Sequence, residues 1–539
     1  MLPAFIFYTC LFVALVLAPA GLILVVLLFL EHKRQLWQRL SPVVGPMSAT
    51  MAQQPFVRGL RMRFPRTAGF LAHRLDPHDP WGLPWTVACL GILVGVWFFL
   101  GVMQDIMARD PLVVLDIRLH NAVPLFRTSA MTWFMLTLTG LGSATVLSLL
   151  CLGVAALALA RPQPRLAATL MLALAGTGLV SAILKSLFGY ARPTDAMIQV
   201  NEASFPSGHM LAGTVVYGLL AALLLGSRVR RSARAAGVTL LLLVIVGIGL
   251  SRLYLGVHWP SDPLGSLALA LMALALLLFF LHYGRPVPWV DTFKLPFSGR
   301  TLRITGTVLL LIALGAAAVL PSRTKIIPAK PPATAQLISI EALRTSLPPQ
   351  LPRWSEDLVG GRMEPVSLVL IGTEEELVDV FRRAGWMRAN LPTPLRVAQE
   401  GFSALQNQPD PTGPATPAFY GDKPQNLTFE KPDTGAPGIR RRHHTRLWQT
   451  AYCLAPHCRP VWLATASFDV GIEISPIQHL PTHRIDAAID DERAIIASDL
   501  TRAGATQEGS MAVSPSMRGM NAAGDPFTTD GRAVLLVLP

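Results

Sequence analysis

Charge is scarce in this sequence. Asp, Glu, Lys and Arg make up 15% of its 539 residues, against about 25% in an ordinary soluble protein, so much of the chain has too little charge to face water. Acid is the scarcer sign: 33 Asp and Glu stand against 46 Lys and Arg, a net charge of +13. That balance would suit nucleic acid, but the cations lie mostly between apolar runs, where they orient membrane spans; nucleic acid is not an expected partner. Cysteine is also sparse, with five residues, so no disulfide framework organises the chain. Cys10, Cys89 and Cys151 fall inside apolar runs and read as inert core residues. Cys453 and Cys458 are close enough for a local disulfide if that region meets an oxidising compartment.

What the chain has in quantity is hydrocarbon, 52% of its residues, concentrated before residue 321. Crossing a bilayer takes about 20 apolar residues in a helix. Eight runs qualify, at approximately 4–30, 84–107, 132–159, 166–188, 210–226, 236–256, 263–282 and 303–320. The first lacks a basic leader and a clean small-residue cleavage site, and reads as a retained span rather than a signal peptide. Every second connection is basic: 31–83, Arg161–Arg165, the group Arg228, Arg230, Arg231 and Arg234, and 285–303. Cytoplasmic loops carry such an excess. The connections near 108–131, 189–209 and 257–262, and everything after 321, then lie outside, which in a bacterium with two membranes is the periplasm. A multi-pass protein of the bacterial inner membrane is the expectation.

After the last run comes a Pro-rich linker, 322–353, semi-extended by composition. The region 354–539 reads as soluble α+β. VSLVLIG (366–372) has the pattern of a buried strand, and Thr373 with Glu376 makes a capping box for a helix whose apolar face is Leu377, Val380, Phe381 and Ala384, ended by Gly385. PVWLATASF (460–468) and AVLLVL (533–538), the latter after an Asp530-Gly531 turn, read as further strands. The predicted fold is mainly α: an N-terminal span and basic segment (1–83), a six-helix bundle (84–282), a loop and last span (283–321), the linker, and the α+β region.

Three clusters fall at the outward ends of consecutive spans: KSLFGYARP with Lys185 and Arg192, PSGH with Ser207, Gly208 and His209, and SRLYLGVHWPSD with Arg252, His258 and Asp262. Lys185, Arg192 and Arg252 offer three positive charges to a phosphate, the arginines as planar bidentate donors. Ser207 and Gly208 open a span, so unpaired backbone N–H groups face an anion there. Asp262-Pro263 resembles an N-cap and N1 pair that would fix the carboxylate beside His258. His258 suits attack on phosphorus and His209 suits proton transfer. The three cations would stabilise charge where a magnesium ion serves elsewhere, and no metal or other cofactor is expected.

The order K-x6-R-P, P-S-G-H and S-R-x5-H-x3-D resembles the signature of the type 2 phosphatidic acid phosphatase superfamily, and every signature position is filled. The resemblance implies a six-helix phosphatase core. It implies His258 as nucleophile through a phosphohistidine, His209 as general acid, Asp262 as orienter, and Lys185, Arg192, Ser207, Gly208 and Arg252 as phosphate cradle. RRRHHTRLW (440–448), ATASFDVG (464–471) and THRIDAAIDDER (482–493) resemble LssY-type C-terminal domains, a resemblance that supplies a name more than a function.

Singly, each residue has a plainer reading: snorkelling cations, helix caps, an interfacial His258 beside Trp259. Agreement in spacing and sidedness outweighs those readings. The expected activity is hydrolysis of a lipid-linked phosphate or diphosphate. The alternative is a non-catalytic lipid-phosphate binding or export component, which would need no nucleophile and acid; vanadate-dependent haloperoxidation uses a related cradle but fits the membrane poorly. In the C-terminal region, His443, His444 and His483 with Asp486, Asp490 and Glu492 read first as a structural hydrogen-bonded cluster rather than a metal site, since adjacent strand histidines point to opposite faces. Arg440, Arg441, Arg442 and Arg446 offer contacts to an anionic headgroup, and the region offers a surface for a periplasmic partner.

Overall fold

A computed structural model describes residues 62–282 except 77, 78, 80, 110, 161, 162 and 228, isolated positions within 307–319, and residues 324–327, 335–390, 417–433, 441–474 and 481–539. The expected first span lies outside the described residues, as does most of 303–320. In chain order the helices are α1 (Pro65–Arg74), α2 (Leu83–Ala108), α3 (Pro111–Ala122), α4 (Ser129–Leu141), α5 (Ala144–Leu159), α6 (Pro164–Phe188), α7 (Gly208–Leu225), α8 (Arg231–Tyr254), α9 (Ser261–His282), α10 (Ile340–Thr345), α11 (Glu374–Arg383) and α12 (Ile489–Arg502). Two compact units emerge, and the chain enters the second one twice: Arg109–Arg127, which contains α3, groups with the residues after 328.

The first unit is a helical bundle. Helices α2, α6, α7, α8 and α9 are each long and apolar enough to cross a membrane, and α4 and α5 meet the same measure when taken together, bent by 44° at a short break. The apolar run 132–159, read in the sequence as one span, is thus two helices with a bend between them. Thr128 and Ser143 cap the two halves through their hydroxyls, which accept from the N–H groups of Met131 and Val146. Gly142 lies in the break because a Cβ there would come within 2.8 Å of Ile248 and 3.3 Å of the His209 carbonyl. The break thus packs directly on the first turn of α7.

Helix α7 runs through the middle of the bundle. Met210, Leu211, Val215, Val216 and Ala221 are all inaccessible, packed in one cluster with Leu147, Leu170, Ile245, Ile248, Leu267 and Ala270 of its neighbours. The outer helices turn Leu90, Leu93, Trp97, Leu100, Leu179, Leu187 and Leu243 outward. In lipid such side chains gain nothing by hiding, so close packing holds the bundle rather than hydrophobic exclusion.

The second unit is built on one large sheet. Its strands are β1 (Gln336–Ile338), β2 (Trp354–Glu356), β3 (Arg362–Ile371), β4 (Met387–Arg388), β5 (Phe419–Tyr420), β6 (Lys423–Pro424), β7 (Leu427–Pro432), β8 (Arg442–Leu454), β9 (Arg459–Ile474), β10 (Pro481–Ile485), β11 (Thr506–Ala512) and β14 (Arg532–Val537); β12 (Met517–Met520) and β13 (Pro526–Thr529) form a separate pair. The main path runs β4-β7-β8-β9-β3-β2-β5-β6, with β14 parallel to β3 and β10 antiparallel to β9. The strands and helix expected at 366–372, 373–385, 460–468 and 533–538 are all present. Thr373 and Glu376 form the capping box, Leu377, Val380 and Phe381 are buried against the sheet, and Gly385 has the positive φ of +82° that ends the helix. Cys453 and Cys458 are joined as a disulfide.

Helix α3 was not foreseen as an element. Its Arg118, 3% exposed, donates to the Asp357 carbonyl and the Glu356 carboxylate and lies over the Phe419 ring at 5.5 Å. Leu115 and Ala122 pack with Leu358 and Phe419, and Asn121 donates to the Asp422 carbonyl at 2.7 Å. The connection between two spans is therefore a structural part of the sheet unit.

Candidate active site

Three inter-helical segments of the bundle meet: the end of α6 with the loop 189–207, the turn 255–260 between α8 and α9, and the first turns of α7 and α9. Arg192 ties the first two together. Its Nε donates to the Glu202 carbonyl at 2.6 Å and Nη2 to the Ala203 carbonyl at 3.1 Å, while Nη1 donates to the Val257 carbonyl and lies 3.2 Å from His258 Nε2. Trp259 reinforces the junction, its indole N–H donating to the Ala191 carbonyl at 2.8 Å.

His258 is 1% exposed and Asp262 fully buried. His258 Nδ1 donates to Asp262 Oδ2 at 2.9 Å. The same oxygen accepts from the Trp259 N–H at 2.9 Å and from the Ser204 hydroxyl, so the carboxylate is fixed from three sides. With its proton on Nδ1, the ring presents the Nε2 lone pair toward Arg192. Burial, then the positive charges of Arg252, Arg192 and Lys185 and the ring of His209, hold His258 well below the usual imidazole range. The ring is therefore neutral at pH 7.

The remaining residues lie on the neighbouring helix ends. Arg252, in the last turn of α8, is 3% exposed; Nη1 donates to Thr139 Oγ1 at 2.8 Å, and Nε has no partner among the described residues. Ser207 is fully buried at the N-cap of α7, and its hydroxyl is also without a protein partner. Buried donors left so are costly unless something meets them. Gly208 opens α7, where a Cβ would come within 3.2 Å of Ser181 Oγ. His209 follows, half-buried. Ser266 locks the pieces together, its hydroxyl donating to the Asp262 carbonyl at 2.7 Å and the Ser207 carbonyl at 3.1 Å. Lys185 reaches the Glu202 carboxylate. All eight residues singled out in the sequence thus converge. Glu202, Ser204, Thr139 and Ser266 were not singled out; none stands in the motif spacing, and only their contacts reveal them.

The basic and histidine-rich stretch of the sheet unit is already paired. Asp469 receives Arg442 Nε at 3.1 Å and lies 3.2 Å from both His444 and His483 Nδ1; Arg442 also meets Glu430 at 2.7 Å. His443 points to the other face, with Nδ1 2.8 Å from Glu492. Asp490 accepts from Thr529 and the Asp530 N–H, and Asp486 from the Ala488 N–H. Arg441 pairs with Asp433 and Arg446 with Glu364; Arg440 lies outside the described residues. Among the described residues no three His, Cys, Asp or Glu side chains are grouped to hold a metal ion.

Residues 166–286 match the PAP2 superfamily model, and residues 349–533 the model for the LssY C-terminus. The chain carries a PAP2 superfamily domain and an LssY C-terminal domain. Every site residue from Lys185 to Asp262 falls inside the PAP2 match. Curated relatives include phosphatidylglycerophosphatase B of Bacillus subtilis, 38% identical over 118 residues, which are 21% of this chain and 56% of that protein. The putative undecaprenyl-diphosphatase YbjG of Escherichia coli is 37% identical over 111 residues, 20% of this chain and 52% of that protein. Decaprenylphosphoryl-5-phosphoribose phosphatase of Mycobacterium tuberculosis is 36% identical over 95 residues, 17% and 47%. The chain spans about half the length of the curated relatives it matches. Among solved structures, a transmembrane PAP2 type phosphatidylglycerolphosphate phosphatase from Bacillus subtilis is 24% identical, with a TM-score of 0.33 over 36% of this chain and 98% of that one.

Proposed function

We propose that the PAP2 domain hydrolyses a lipid-linked phosphate or diphosphate through a phosphohistidine, without a metal ion. The observation that carries this is His258, neutral, oriented by Asp262 at Nδ1, with Nε2 directed at Arg192. Nε2 attacks phosphorus and the bond to the leaving oxygen breaks, while protonated His209 gives its proton to that oxygen. Asp262 stabilises the cationic ring. His209, now neutral, takes a proton from water, whose oxygen attacks the phosphohistidine; the P–N bond breaks and inorganic phosphate leaves. Lys185, Arg192, Arg252, the Ser207 hydroxyl and the first N–H groups of α7 stabilise charge on the transferring oxygens. Three cations and a helix terminus supply the charge that a metal would otherwise bring.

A lipid substrate is supported by the position of the site at the ends of membrane-long helices, and by relatives named for phosphatidylglycerophosphate, undecaprenyl diphosphate and a decaprenyl phosphoribose phosphate. An outward, periplasmic site in the inner membrane is supported by the alternating basic connections and by the Cys453–Cys458 disulfide, which belongs to an oxidising compartment. The LssY domain is a candidate surface for a periplasmic partner.

The test uses purified full-length protein in detergent with a panel of lipid phosphates carrying radiolabelled terminal phosphate. Acid-labile label is expected on the wild-type chain and none on His258→Ala. Turnover should fall about 10²–10⁴-fold in His209→Ala, the usual worth of a general acid. Full hydrolysis by either variant sinks the assignment.

A further inference from the structure

Among the described residues, Lys185 alone of the three cradle cations holds a carboxylate, that of Glu202. The two ends of this ion pair differ sharply: the lysine side chain is 14% exposed and the glutamate 71%. The backbone of Glu202 is pinned by Arg192, whose Nε donates to its carbonyl at 2.6 Å. The side chain can therefore swing into solvent while the loop stays where Arg192 holds it. A phosphate bound by Arg192, Arg252 and Ser207 would compete with this carboxylate for the same ammonium. If the carboxylate stayed, it would also face the incoming anion with like charge.

We propose that Glu202 is a removable latch on Lys185. Its carboxylate holds the amine before substrate arrives, yields it to the substrate's phosphate, and recaptures it as inorganic phosphate departs. The exchange moves no proton and makes no covalent bond. Lys185 draws the Glu202 carboxyl below the usual range, so the carboxylate stays charged at neutral pH. An ion pair whose carboxylate end lies in solvent is weak, and a phosphate dianion held by two further cations displaces it. The latch is thus a positioning residue that sets affinity and release, and its role in turnover rests on the hydrolase reading above.

The experiment has two arms on the full-length protein in detergent: calorimetric binding of inorganic phosphate, and hydrolysis of phosphatidic acid. In Glu202→Gln the phosphate Kd should fall about two- to fivefold, the factor an exposed ion pair is worth. KM for phosphatidic acid should fall in parallel, kcat should change by less than about twofold, and phosphate should become the stronger product inhibitor. Glu202→Asp, a shorter carboxylate, should lie between. In a Lys185→Met background Glu202→Gln should change nothing. Unchanged or weaker phosphate binding in Glu202→Gln overturns the latch, as does tightening that persists without Lys185. If phosphate binds more tightly as expected but neither protein hydrolyses any lipid phosphate, the latch stands and the hydrolase reading falls.

Discussion

His258 is restrained at both ring nitrogens, and the Asp262 carboxylate that restrains one of them is shared with Ser204 and the Trp259 N–H. That sharing tunes the base. Each extra donor to Asp262 Oδ2 withdraws charge that would otherwise stabilise imidazolium, so the Ser204 contact helps keep the ring neutral. Because the site holds His258 below the usual imidazole value of about 6.5, its active neutral form should persist below that pH, and kcat/KM should decline only as pH falls through the depressed value. Ser204→Ala should raise the His258 pKa and move this acid limb of the kcat/KM profile to higher pH. A profile that does not move would mean that Ser204 only fills space. The signature residues were legible because their chemistry recurs at set spacings. Ser204 and Glu202 were not, since a serine and a glutamate in a polar loop carry no periodicity, and their meaning lies in contacts across 58 and 17 positions of chain.

At the scale of elements, length and composition made the spans plain, because a bilayer demands both at once. The bend at Gly142–Ser143 was hidden inside one apolar run; it is set by the close approach of α7 and Ile248, a tertiary demand. Helix α3 escaped for a related reason. Its Asp116, Arg118 and His120 are buried charge-bearing residues, which in sequence look like an ordinary polar loop. Their burial makes a prediction. Arg118→Met removes the charged hydrogen bonds to Glu356 and Asp357 from a site with few alternatives, and should cost the sheet unit about 2–3 kcal/mol. That cost should appear as a lower melting transition followed by tryptophan fluorescence, with the transition of the helical bundle unmoved. No change would place α3 outside the cooperative unit.

For the whole molecule, the charge alternation predicts a sidedness that two fusions can check. A reporter active only in the periplasm should be active when joined after residue 321 and silent when joined within 227–235. The reverse pattern would turn the phosphate site to the cytoplasm and change the pool of lipids it meets. The LssY region was legible as α+β from strand runs, a capping box and a turn; of its buried network, His444 and His483 were foreseen as members of a cluster, but Asp469, the carboxylate that Arg442 and both histidines meet, was not, because strand alternation names the face and not the partner.

Helix α3 also bears on how the two domains can be taken apart. The LssY domain is not a passenger appended after the PAP2 domain, since part of its fold is encoded between two membrane-long helical stretches. A chain cut after residue 321 would keep α3 but lose its cover, leaving Leu115 and Arg118 exposed beside the bilayer. An isolated C-terminal fragment would lack the helix that occupies Glu356 and Phe419. Inactivity of either piece would report a damaged scaffold rather than a division of labour, and a graft of this domain onto another PAP2 domain would need to carry residues 109–127 with it.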